Sequence, residues 1–132
     1  MAVDPLTATR EWLDLLTSGP VEAWQGKVSE DIVIGLPFAP PGVEPQLRGR
    51  QHAATVMSGV WQSQKSFVWH DVVMRRTDDP ELVVTTARSE VMLVSGQHYA
   101  NSYVMFTRVR AGKIVGHIEY FNPLPIMRAF GL

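Results

Sequence analysis

Acidic and basic side chains inside two predicted strands are the groups of this 132-residue chain best suited to chemistry. Glu119 lies within the apolar segment Lys113–Asn122, two residues after His117. A carboxyl group held in a pocket has a tunable proton affinity, so it can act as a general acid or base. Strand alternation puts both side chains on one face, which is either the solvent side or a pocket wall. The flanking Val115 and Phe121 share that face and favour the pocket.

A second candidate pair lies on the segment Leu82–Val94. Arg88 and Glu90 share one face, about 7 Å apart along the strand, and that face is apolar at both ends. An arginine between two acids can hold one as carboxylate and orient the other. We therefore predict Glu119, Glu90 and Arg88 as the catalytic residues, with Glu119 as the principal acid and base. The alternative for Arg88 and Glu90 is a salt bridge on the protein surface.

Aromatic side chains offer walls for a flat, apolar ligand. The predicted substrate-binding residues are His117, Trp12, Trp61, Trp69, Phe38 and Tyr103. The tryptophans could equally be core residues, and the strand face that carries Tyr99, Asn101 and Tyr103 could pack a dimer interface instead. The sequence has no cysteine, no metal-ligand spacing, no glycine-rich phosphate loop and no nucleophile motif. We therefore expect neither a metal nor an organic cofactor.

Composition predicts a single folded domain over residues 1–132. Hydrophobic residues make up 45% of the chain and charged residues 19%, which is typical of a globular protein. The net charge of −1, without long charged runs, does not favour binding to nucleic acid or to an anionic membrane. The N-terminus does not resemble a signal peptide, and no apolar run is long enough to cross a bilayer. We expect a soluble cytoplasmic protein.

Apolar periodicity predicts helices first and long strands last. Helices are expected over Leu6–Thr17, Gln51–Gln62 and Pro123–Phe130, with one further turn over Val21–Gln25. Strands are expected over Asp31–Leu36, Phe67–Thr77, Leu82–Val94, His98–Arg110 and Lys113–Asn122. The prolines of residues 37–42 predict an irregular loop. This order indicates an α+β fold, in which N-terminal helices cover a strongly curved antiparallel or mixed sheet and leave a deep pocket.

Five short segments, in this order and spacing, resemble the nuclear transport factor two-like superfamily, in its SnoaL-like and ketosteroid-isomerase-like branch. The segments are Thr77–Pro80, Tyr99–Asn101, Gly112–Ile114, Glu119–Asn122 and Met127–Ala129. Their combination is most similar to the phenazine-biosynthesis A/B proteins. The resemblance implies a cone-shaped α+β barrel with a deep pocket, usually dimeric through the sheet, and it implies that Glu119 donates and accepts protons.

One position departs from the phenazine-biosynthesis pattern. Glu90 stands where those proteins carry a pocket histidine, and Arg88-x-Glu90 with Glu119 is instead similar to the Arg-x-Asp plus Asp arrangement of limonene-type epoxide hydrolases. The expected function is an acid/base enzyme, active as a homodimer, that cyclises, isomerises or opens an epoxide in a small hydrophobic secondary metabolite. The alternative is a binding protein of the same fold without catalysis.

Overall fold

The computed structural model describes residues 3–132, and over these residues helices and strands follow the predicted order. The elements are α1 (Pro5–Ser18), a 3-10 turn (Val21–Trp24), β1 (Val28–Gly35), β2 (Gln46–Arg48), α2 (Arg50–Ser63), β3 (Gln64–Arg76), β4 (Leu82–Leu93), β5 (His98–Arg110), β6 (Lys113–Phe121) and α3 (Pro123–Phe130). The three-residue strand β2 was not predicted, because so short a segment carries no periodic signal. β1 begins three residues before the predicted start.

Capping residues set the ends of α1 and α3. The Asp4 carboxylate accepts a hydrogen bond from the Leu6 N–H at 3.1 Å, with a proline at the first position of α1. Asn122 does the same for the Leu124 N–H at 3.0 Å, at the point where β6 ends. Gly131 ends α3 in the left-handed conformation, with φ of 70°. The last strand and the last helix therefore meet at one capping residue.

The six strands form one mixed sheet in the order β2-β1-β6-β5-β4-β3. Strand β1 runs parallel to β6, and the other neighbouring pairs are antiparallel. The helices pack on the inner face of this curled sheet, which confirms the predicted α+β architecture. A buried cluster fills part of the interior, with members from α1, the 3-10 turn, α2 and four of the strands; it includes Trp12, Trp24, Ile32 and Ala53. Within residues 3–132, no helix has the length and hydropathy needed to cross a membrane.

A β-bulge between β5 and β6 sets which side chains of β6 face inward. Arg108 pairs with Gly116 and Val109 pairs with Ile114, so Val115 is the extra residue. As a result Ile114 is buried, on the same side of the sheet as His117. The sequence-based alternation, which put Val115 rather than Ile114 on the His117 face, is wrong at this point because the bulge resets the period. From His117 to Phe121 the alternation holds.

Candidate active site

A cavity of about 510 Å³ lies between the inner face of the sheet and the helices. Side chains from all three helices, from β1, β3, β5 and β6, and from the loop after β1 line it, and most of them are apolar. Among the lining side chains of the described chain, Glu119 is the only carboxylate, and Tyr99 and Tyr103 supply two phenols. One acid in an apolar enclosure is a recognisable setting for proton-transfer chemistry.

Glu119 reaches the cavity because β6 presents alternate residues to the inner face. Its backbone pairs with Met105 of β5, and its side chain is 16% exposed. The Oε1 atom lies 3.3 Å from Nε2 of His117, and the carboxylate borders the cavity. The structure therefore places Glu119 at a pocket wall, and its catalytic role stays a prediction.

His117 lies behind Glu119 and does not line this cavity, so the prediction that it contacts the substrate there is wrong. Its ring is buried, and Nδ1 lies 3.1 Å from the Trp12 indole nitrogen and 2.9 Å from the Thr107 hydroxyl. Thr107 is the direct cross-strand neighbour of His117 on β5, while Trp12 reaches it from α1. Histidine therefore connects the helical layer to the acid. Strand alternation predicted that His117 and Glu119 share a face, but no sequence signal indicated Trp12 or Thr107 as their partners.

Two tyrosines on the inner face of β5 add hydrogen-bonding groups to the cavity. The Tyr103 hydroxyl lies 2.8 Å from the Ser89 hydroxyl on β4, whereas the Tyr99 hydroxyl has no hydrogen-bond partner within residues 3–132. Burial, and secondly the negative charge of Glu119, raise the pKa of Tyr99 to about 12. The same two causes raise the pKa of Tyr103 far above its ordinary value, although Ser89 opposes them. Both phenols are therefore protonated at neutral pH and can donate hydrogen bonds.

Burial shows that the β5 face that carries Tyr99 points into the protein, so it lines the interior rather than a dimer interface. Asn101, Tyr103, Met105 and Thr107 are all buried and share the inner face with Tyr99. The charged residues of this strand, Arg108 and Arg110, lie on the opposite face. This difference in charge between the two faces was the sequence signal that could have identified the inward face.

Trp69 and Tyr103 form one aromatic wall of the cavity, where they were predicted to contact substrate. Trp69 packs edge to face against Tyr103, with ring centroids 5.1 Å apart, and against Phe67 at 4.8 Å. All three side chains line the cavity. Contact with a substrate itself stays a prediction.

The other predicted aromatic contacts lie elsewhere. Trp12 and Trp61 flank Trp24 in the core, at centroid distances of 5.0 Å and 5.9 Å, and neither lines this cavity. The alternative that these tryptophans are core residues is therefore correct. Phe38 is 55% exposed and packs against Tyr120, which projects from the outer face of β6, so its assignment to the pocket is wrong.

Arg88 and Glu90 do not join Glu119, and the predicted catalytic trio is wrong. Both side chains project from the outer face of β4, where they are 53% and 67% exposed. Arg88 forms an ion pair with Asp71 at 2.8 Å, and Glu90 lies 3.2 Å from His70. The alternative of surface salt bridges is correct, although each residue pairs with β3 rather than with the other.

The misassignment of β4 has a simple physical cause. Its inner face carries the small polar residues Thr85 and Ser89, which are fully buried, so this face looked less apolar than it is. The outer face carries Leu82, Val84 and Met92 at its ends, which suggested a pocket. Polarity alone therefore did not identify the inward face of this strand.

Comparison with known proteins finds a family and a relative that match the sequence of this chain. The SnoaL-like domain family matches residues 9–117, a range that ends two residues before Glu119. An uncharacterized PhzA/B-like protein of Pseudomonas aeruginosa is 29% identical over 126 residues, covering 90% of this chain and 84% of that protein. This agrees with the predicted similarity to phenazine-biosynthesis A/B proteins.

Solved structures share the fold at low sequence identity. A candidate isomerase from Bacillus subtilis superposes with a TM-score of 0.83 at 22% identity, covering 97% of this chain and 93% of that one. A candidate polyketide cyclase from Xanthomonas campestris superposes with a TM-score of 0.78 at 18% identity, covering 96% of each chain. At this level of identity the superpositions show the fold alone.

Proposed function

Because the chain belongs to the SnoaL-like domain family, we propose that it is an acid/base enzyme of the isomerase or cyclase type. Its substrate is a hydrophobic small molecule with a carbonyl group, and the reaction needs no organic cofactor or metal. One observation carries the proposal: the Glu119 carboxylate, supported by a buried histidine, borders a largely apolar cavity of about 510 Å³. A positioned carboxylate in such a site can take a proton from carbon and return it elsewhere.

The reaction begins with removal of a proton from the carbon next to the substrate carbonyl. Glu119 takes the proton, the C–H bonding pair moves into the enolate, and negative charge develops on the carbonyl oxygen. The protonated phenol of Tyr99, which has no hydrogen-bond partner within residues 3–132, is the donor for that oxygen. Donors aimed at developing charge in a water-poor site are among the strongest contributions to catalysis.

The second half of the reaction determines the product. In an isomerisation, Glu119 returns its proton to a different carbon of the enolate. In a cyclisation, the enolate carbon attacks a second carbonyl of the same molecule, and the resulting alkoxide takes the proton from Glu119. Epoxide opening has less support, because the second acid and the arginine that it would use, Glu90 and Arg88, lie on the outer face.

The substrate is expected to be flat and largely apolar. Trp69, Phe67 and Tyr103 present a continuous aromatic surface beside the acid. The names of the structural neighbours, a candidate isomerase and a candidate polyketide cyclase, support the same reaction class.

We further propose that two copies pair through the outer face of the sheet. Val104, Ile118 and Tyr120 are exposed there on adjacent strands, where Val104 directly opposes Tyr120. Exposed apolar patches of this kind mark interaction surfaces. Sedimentation velocity should detect a dimer that Ile118→Glu converts to monomer, and a monomer at all concentrations in the unmodified protein would contradict pairing.

The acid/base proposal can be tested before the natural substrate is known. A base that removes the ring C–H proton of 5-nitrobenzisoxazole breaks its N–O bond and releases a coloured cyanonitrophenolate, so this compound reports a general base in an apolar cavity. Glu119→Gln, which keeps the shape but removes the base, should lower the rate by about 10²- to 10⁴-fold. The matched control is Glu90→Gln, an exposed acid on the outer face, which should leave the rate unchanged.

Two outcomes would contradict the proposal. If Glu119→Gln turns over the probe as fast as the unmodified protein, Glu119 is not the base. If the unmodified protein binds an apolar fluorescent dye in the cavity but gives no more probe turnover than free acetate, the chain is a binding protein without catalysis.

A further inference from the structure

We propose that His117 is a positioning residue, fixed as a single tautomer by Trp12 and Thr107, which holds one oxygen of Glu119 and leaves the other to the substrate. The inference rests on the proposed acid/base role of Glu119. His117 does not line the cavity that Glu119 borders, so it acts through the acid rather than on the substrate.

The indole of Trp12 selects the tautomer. An indole N–H can only donate, and it points at Nδ1 of His117 across 3.1 Å. Nδ1 must therefore carry a lone pair, because a proton there would place two N–H donors against each other. The ring nitrogen that carries the proton is then Nε2.

Thr107 is compatible with this tautomer and packs against the same nitrogen. Its hydroxyl lies 2.9 Å from the same Nδ1, and the threonine is fully buried on the neighbouring strand. A hydroxyl can rotate its proton toward an acceptor, so it can share the single Nδ1 lone pair with the indole N–H. Two buried donors from α1 and β5 thus converge on one nitrogen, and neither can exchange it for water.

The locked ring directs its remaining proton at Glu119. Nε2 lies 3.3 Å from Oε1 of the carboxylate, which is two residues along the same strand. With Oε1 engaged, rotation of the carboxylate is restricted and Oε2 is the oxygen left for a substrate proton. Such orientation of a reacting group contributes to rate because a misplaced group loses its near-attack geometry.

The tautomer itself can be measured without any substrate. In the protein labelled with nitrogen-15 at histidine, two-bond correlation spectra should show His117 with an unprotonated Nδ1 and a protonated Nε2. The other described histidines are not held by this pair of donors, and the signal is assigned by its loss in His117→Gln. A spectrum with the proton on Nδ1, or with both tautomers averaged, would overturn the proposal.

A matched pair of variants tests the effect on Glu119. In His117→Gln the side-chain amide reaches the former Nε2 position and can still donate to Oε1. In His117→Asn the shorter amide reaches only the Nδ1 position, so the donor is lost. We expect kcat for the benzisoxazole probe to fall about 10-fold or more in His117→Asn with KM little changed, and to stay within about threefold of the unmodified value in His117→Gln.

The two hypotheses fail in different ways. If Glu119→Gln abolishes turnover while both His117 variants keep the full kcat, positioning is refuted and the acid/base function stands. If Glu119→Gln has no effect, the proposed function is refuted, whereas the nitrogen spectrum still decides the tautomer. Equal loss of kcat in both His117 variants, or failure of both to fold, would assign His117 a structural role instead.

Discussion

Alkaline pH is expected to destabilise the fold through Tyr99. Burial, with a smaller contribution from the Glu119 charge, raises the pKa of Tyr99 from 10.0 to about 12. In the unfolded chain the phenol ionises near its ordinary pKa of about 10. Between these values the unfolded state has released a proton that the folded state retains, so the free energy of unfolding falls as the pH rises.

The expected loss follows from the two pKa values of Tyr99. A tenfold change in proton affinity corresponds to about 1.4 kcal/mol, so titration from about pH 10 to about pH 12 should remove about 2 to 3 kcal/mol. Below about pH 9 the phenol is protonated in both the folded and the unfolded state, so none of this free energy of unfolding is lost. Other groups, among them the buried Tyr103, also affect stability at high pH. The informative quantity is therefore the difference between the unmodified protein and Tyr99→Phe.

Urea unfolding between about pH 8 and about pH 12, followed by the fluorescence of the buried tryptophans, measures this difference. The unmodified protein should lose about 2 to 3 kcal/mol more than Tyr99→Phe over that range. Tyr120→Phe, which alters a phenol on the outer face, is the control and should follow the unmodified protein. Parallel losses in the unmodified protein and in Tyr99→Phe would refute the reasoning.

Two further substitutions test the inner and outer faces of β4. Ser89→Ala removes the hydrogen-bond partner of the Tyr103 hydroxyl in the interior, so it should lower the free energy of unfolding by about 1 to 3 kcal/mol in urea titration. A loss near zero would mean that Tyr103 finds another partner. Arg88→Ala breaks an exposed pair with Asp71, so it should cost no more than about 1 kcal/mol and leave probe turnover unchanged. A large loss of turnover would return Arg88 to the active site.

The fold was predictable because local signals and strand periodicity agree over long segments. The boundaries of β5 match the prediction, and those of α3 do as well, because turn residues and an asparagine cap mark them. The β-bulge at Val115 was not predictable, since it depends on how β5 and β6 pair and leaves no mark in the alternation of β6. The strand β2 was missed for a related reason, because it exists only through pairing with β1.

The site was predictable only where one strand sufficed to define it. His117 and Glu119 were recognised as neighbours because they occupy alternate positions on β6. Their connection to Trp12 spans 105 residues of sequence and depends on how α1 packs on the sheet. The inward face of β4 was misread because its buried Thr85 and Ser89 are polar, and only packing shows that they are enclosed.

Support of Glu119 by a histidine, rather than by the arginine that the sequence suggested, matters for its chemistry. A cation beside a carboxylate favours the charged form and so weakens it as a base. Arg88 lies on the other face of the sheet, paired with Asp71, and the cavity lining within the described residues includes no lysine or arginine. The negative charge of Glu119 is therefore not balanced by a cation at the cavity. Burial first, and that same charge second, raise the pKa of Tyr99 and Tyr103, so the acid and the two phenol donors of the cavity interact electrostatically.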